Sequence, residues 1–94
     1  METSFYFTEH ALIEMDNDAM EIEDVMRIAE NGMLVEDYPN DRPYPSTLEL
    51  GKAAAPNNYS IHVVSAISPE GRIHVITAYI PNPSKWDITF TERT

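Results

Sequence analysis

The chain has no cysteine, and it carries only six lysines and arginines against sixteen aspartates and glutamates, a formal net charge of −10. Without cysteine there is neither a disulfide framework nor a thiolate metal site, so nothing in the chain requires an oxidising compartment. No apolar run approaches the roughly 18 residues of a membrane span. The opening METSFYFTEH also lacks the basic and apolar regions of a signal peptide. Both absences predict a cytoplasmic protein with no membrane partner. The shortage of cations argues against nucleic acid, and no DNA is expected, because phosphate binding is driven by clustered lysine and arginine.

That shortage is uneven. Residues 1–41 hold twelve of the sixteen acids and one base, Arg27, whereas residues 42–94 hold four acids against Arg42, Lys52, Arg72, Lys85 and Arg93. A molecule with one acidic layer and one nearly neutral remainder follows. Other motifs are missing too. His10, His62 and His74 lie far apart with no HExxH or CxxC spacing, and there is no P-loop, GxGxxG or GxSxG. No metal and no cofactor is expected, and any chemistry has to come from side chains gathered by the fold.

What is present is globular: 43% hydrophobic residues, 10% aromatic, in 94 residues that suit one domain, 1–94. Thr8 can cap a helix over about 9–16, with Ala11, Leu12, Met15 and Ala19 as a narrow apolar stripe. A second helix is predicted over 21–31, burying Ile22, Val25, Met26 and Ala29 and exposing Glu23, Asp24, Arg27 and Glu30, with Asn31-Gly32 as a left-handed stop. Residues 33–38 and 46–52 read as strands separated by a proline-rich loop. Residues 84–94 read as a tail whose aromatics pack on the domain edge.

The organising stretch is Tyr59 to Ile80, two arms rich in Ile, Val, Thr and Tyr around Ser68-Pro69-Glu70-Gly71, which is turn chemistry. A four-residue loop sets Ile67 opposite Arg72, His62 opposite Thr77 and Ser60 opposite Tyr79. Alternation then puts Ile61, Val63, Ser65, Ile67, His74, Ile76, Ala78 and Ile80 on a core face. It leaves Ser60, His62, Val64, Ala66, Ile73, Val75, Thr77 and Tyr79 on the other. The expected fold is α+β: two N-terminal helices packed on one face of a four-stranded, mainly antiparallel sheet. On the open face, His62 can move a proton near neutral pH and Tyr79 can donate to a developing charge. The competing reading makes both half-buried sheet residues. His74, on the core face, reads as structural.

The segments Phe7-Thr8-Glu9-His10-Ala11-Leu12, Glu23-Asp24-Val25, Glu30-Asn31-Gly32, Glu36-Asp37-Tyr38-Pro39, Pro45-Ser46 with Leu50-Gly51, Ile61-His62-Val63-Val64, Val75-Ile76-Thr77-Ala78-Tyr79 and Pro81-Asn82-Pro83 with Lys85-Trp86 follow one another in an order that resembles domain of unknown function 4258. The resemblance implies a RelE-like architecture, shared with ribonuclease toxins of toxin–antitoxin systems. It also implies an antitoxin partner, often a zinc-finger protein encoded alongside, and an RNA substrate. His10, His62 and Tyr79 would then be catalytic, with Thr77 and Lys85 binding substrate, in a metal-independent cleavage by the RNA's own 2′-hydroxyl. Relatives follow the His-Ala-Leu segment with an arginine-rich run; here it is Ile13-Glu14-Met15-Asp16-Asn17-Asp18. An anion at Glu14 repels phosphate and developing charge alike, so a weak or inactive ribonuclease is expected. The alternative is a non-enzymatic module that binds a protein through its acidic helices or an edge strand.

Overall fold

The computed structural model describes residues 3–94. Its elements run β1 (Phe5–Phe7), α1 (Glu9–Asn17), α2 (Ile22–Asn31), β2 (Met33–Tyr38), β3 (Ser46–Lys52), β4 (Ser60–Ile67) and β5 (Ile73–Tyr79). They form a five-stranded sheet in the order β1-β5-β4-β3-β2, antiparallel except where β1 runs parallel to β5. The fold is α+β with two helices on one face, as expected, but the sheet has a fifth strand. Phe5-Tyr6-Phe7, too short to read as a strand by alternation, pairs with Ile73, His74 and Val75 on the outer side of β5.

Thr8 fixes the junction that follows. Its hydroxyl accepts from the Ala11 amide at 3.0 Å, capping α1, and donates to the Ile76 carbonyl at 2.8 Å, so one side chain starts the helix and ties it to β5. The helices bury Ala11, Met15, Val25, Ile28 and Ala29 against Ile61, Val63, Ile73, Val75 and Ala78. Asp24, expected on the solvated face of α2, is 3% exposed instead. Its carboxylate accepts from Arg27 at 2.9 Å and from the Ala54 amide at 3.2 Å, which is how a buried charge is tolerated here. Ile22 is exposed and Ile28 takes its place in the core. Gly32 ends α2 in an extended conformation, φ −70°, rather than a left-handed one. A side chain there would fall 2.6 Å from the Ile28 carbonyl oxygen, so close approach is what requires glycine.

The hairpin register departs from expectation in two steps. The loop between β4 and β5 is Ser68 to Arg72, closed by Ser68 N–H to the Arg72 carbonyl at 2.9 Å with Gly71 at φ 85°, so Ile67 faces Ile73 instead of Arg72. A bulge then leaves Ile76 unpaired: Ser65 faces Val75, Val64 faces Thr77 and His62 faces Tyr79. Near the turn only the first shift applies. Ile73 and Val75 therefore join the core, while His74 and Ile76 move to the open face, reversing the predicted assignment. Beyond the bulge the two shifts cancel in parity, and Ala78 and Tyr79 return to their predicted faces. Ile80 falls outside β5 and is exposed.

Candidate functional site

His62 sits on the central strand β4 and is fully buried although it faces away from the helices. What covers it is the tail. Trp86, 3% exposed, places its ring 4.5 Å from the His62 ring in an edge-on arrangement, and Tyr79 stands edge-on from the other side at 5.3 Å. The tail thus lies over the middle of the open face rather than on the domain edge. Beneath it Leu48 is wholly buried, a small apolar layer apart from the helix-side core.

The polar partners of His62 fix its state. Nε2 lies 2.8 Å from the Phe90 carbonyl oxygen, which can only accept, so Nε2 carries the proton. Nδ1 is then the acceptor for the Tyr79 hydroxyl at 3.3 Å. Burial holds the His62 pKa below the ordinary histidine value, against the hydrogen bond to Phe90, and the nearby Arg93 charge lowers it further. Burial likewise raises the Tyr79 pKa. The pair is a neutral imidazole and a neutral phenol.

The tail is held by a ring of contacts. Arg93 forms a two-pronged ion pair with Glu36 of β2, Nε to Oε2 at 2.9 Å and Nη2 to Oε1 at 3.0 Å, and its guanidinium lies 4.5 Å from the Trp86 ring centre. Tyr38 also donates to Glu36. The hydrogen bonds from Arg93 and then Tyr38 hold the Glu36 carboxyl below the usual range. Trp86 and Arg93 pair as an isolated antiparallel bridge, and the Asp87 carboxylate accepts from the Thr89 hydroxyl at 3.0 Å and the Thr91 amide at 3.1 Å. Phe90, at the tip, is held at φ 60°, a left-handed conformation that a bulky residue adopts only when its surroundings impose it.

Of the residues singled out from the sequence, His62 and Tyr79 are in contact. Thr77 shares their face but lies opposite Val64, two residues from the position across from His62 where it was expected. Lys85 is exposed at the base of the tail, where its backbone N–H donates to the Asn82 carbonyl and its carbonyl accepts from the Thr94 amide. His10 is exposed in the first turn of α1, and among the described residues no hydrogen bond links it to the His62 cluster. Trp86, Phe90, Arg93, Glu36 and Tyr38 were not anticipated as neighbours of His62. Trp86 was the readable signal, a large aromatic in an otherwise polar tail; nothing in the sequence pairs Arg93 with Glu36 across 57 positions. Among the described residues no group of three or more His, Asp or Glu side chains is placed to hold a metal ion, and no helix is long and apolar enough to cross a membrane.

A two-helix α+β domain whose open sheet face is closed by its own C-terminal tail is the class defined by this geometry. The chain belongs to the family described as Domain of unknown function (DUF4258), whose model matches residues 7–80. The match includes His10, His62, Thr77 and Tyr79 and stops short of Trp86, Phe90 and Arg93, so the segment that seals His62 lies outside it. No curated protein and no solved structure matches the chain.

Proposed function

We propose that this chain is a RelE-like, toxin-type domain of a toxin–antitoxin system in which ribonuclease chemistry is silent, so that it acts by binding rather than by cleaving RNA. The observation that supports this reading is the state of His62. A general base must reach the proton it abstracts, and this ring is fully buried with both nitrogens engaged by its own chain. Glu14, partly exposed on α1, adds an anion where the resemblance puts cations. The test is incubation of labelled single-stranded RNA with the wild-type protein at physiological salt in EDTA. No cleavage above the protein-free blank is expected. Robust cleavage that disappears in His62→Ala overturns the reading.

A second reading, a protein-binding module, is favoured by one feature. Strand β2 is the outer strand of the sheet, and it carries Met33 and Leu34 at 60% and 58% exposed. An open edge with apolar side chains is suited to strand addition by a partner. Co-expression with the product of the adjacent gene tests it: a complex that is lost in Leu34→Lys supports the module and assigns the edge.

A further inference from the structure

A concavity lies on the part of the open face that the tail leaves uncovered, some four residues along β4 from His62, about 13 Å at the usual strand rise. Its centre is His74, which the hairpin shift moved out of the core. Tyr6 of β1 and Tyr44 of the loop after β2 flank the ring, with centroids 5.4 and 5.5 Å away, and Ile76 and Thr8 form the floor. Arg42 stands on the rim of this cavity of about 340 Å³.

We propose that this pocket binds a nucleobase together with its phosphate, the base lying against Tyr44, His74 and Tyr6 and the phosphate meeting Arg42. Four observations converge on that chemistry. Tyrosine and histidine rings are the surfaces on which bases stack, and stacking accepts any base because every base has a π face. Among the described residues neither ring nitrogen of His74 has a hydrogen-bond partner, which leaves them for the edge of a ligand. Arg42 has no ion-pair partner among the described residues either; the neighbouring Asp41 carboxylate is turned to the Ser46 hydroxyl at 2.5 Å. The volume is at the low end of the roughly 300–1,000 Å³ of small-molecule sites, room for one nucleotide and not for a dinucleotide cofactor.

The net charge of −10 does not oppose this. Most acids of the two helices, among them Glu14, Asp16, Glu23 and Glu30, lie in the helical layer on the far side of the sheet. The acids nearest the cavity are Glu9, next to Thr8 of its lining, and Asp41, next to Arg42, and the Asp41 carboxylate is already held by the Ser46 hydroxyl. The inference does not depend on whether His62 is catalytically silent, since it uses none of the residues around that ring.

The experiment is an amide NMR titration of the full chain with 5′-AMP, adenosine and hexa-adenylate. Saturable shifts centred on Tyr6, Tyr44 and His74 are expected with AMP, and about tenfold weaker binding of adenosine, the scale of one lost charge-assisted contact. Arg42→Gln, at an exposed rim position, should erase the difference between AMP and adenosine. Tyr44→Leu should weaken both about tenfold or more, with unchanged thermal melting as the control for folding. Hexa-adenylate binding more tightly than AMP identifies single-stranded RNA as the source of the base, and equal affinity identifies a free nucleotide. No saturable shift at millimolar AMP or hexa-adenylate overturns the proposal, as do shifts centred elsewhere or binding indifferent to both substitutions.

Discussion

Acid should destabilise this protein through His62, and the amount follows from how the ring is held. With Nε2–H committed to Phe90 and Nδ1 accepting from Tyr79, a second proton has to enter a site buried from solvent, opposite a hydroxyl that already donates there and near the Arg93 charge. The folded-state pKa is therefore depressed, while the unfolded chain titrates near its ordinary value of about 6.5. As pH falls the unfolded state takes the proton first. The stability contributed by neutral His62 is thus complete above about pH 6.5 and is lost as pH drops from there through the lower folded-state pKa. In that window the slope approaches about 1.4 kcal/mol per pH unit, a large share of the roughly 5–15 kcal/mol that holds a small domain together. Urea melts at about pH 7.5, 6.5 and 5.5 measure it, read by the fluorescence of Trp86, the only tryptophan in the chain. The control is His62→Gln, less stable throughout but without the titration. The difference between the two proteins removes other groups such as Glu49, whose carboxyl burial pushes above the ordinary carboxylate value and which acts with the opposite sign. A difference that stays constant across this range would refute the buried, neutral assignment.

The bulge in β5 is tested by a pair of truncations: Ile61→Ala should cost about 2–5 kcal/mol, because Ile61 is fully buried in the helix-side core, and Ile76→Ala clearly less, because Ile76 lines an open cavity. Equal losses in denaturant melts would return Ile76 to the core and remove the bulge. Arg93→Ala should cost about 1–2 kcal/mol, the sum of an exposed two-pronged ion pair and a cation–π contact. It should also speed amide hydrogen exchange in residues 86–93 while leaving β4 and β5 protected; unchanged exchange in the tail would show that the Arg93 contacts do not hold it.

Much of the fold was legible because local chemistry and tertiary packing agree. The Thr8 cap, the two helices and the β2 and β3 spans appear where composition and periodicity put them. The strand β1 was not legible, since three residues carry no period and their strand character comes from the exposed side of β5. The register failed for a related reason. A turn of four residues and a turn of five are both compatible with Ser68-Pro69-Glu70-Gly71-Arg72, and the bulge at Ile76 is held by Thr8, some 68 positions earlier. His62 and Tyr79 were nonetheless placed on one face because two single-residue shifts restore the parity. What sequence could not supply was the burial of His62, which comes from the tail. The hydrogen bond from its ring is to a backbone carbonyl, which every residue possesses, so no side-chain type announces it.

The central claim is that the tail holds His62 as a buried neutral imidazole with its proton on Nε2. Long-range ¹⁵N–¹H correlation spectra of the histidine side chains, collected from neutral pH downward, read this directly. The expected result is one histidine with a protonated Nε2 and a bare Nδ1, its signals unchanged through the pH range in which a free imidazole titrates and altered by Phe90→Gly or Tyr79→Phe. A His62 ring that titrates near about 6.5 with both nitrogens exchanging freely with water would contradict the account.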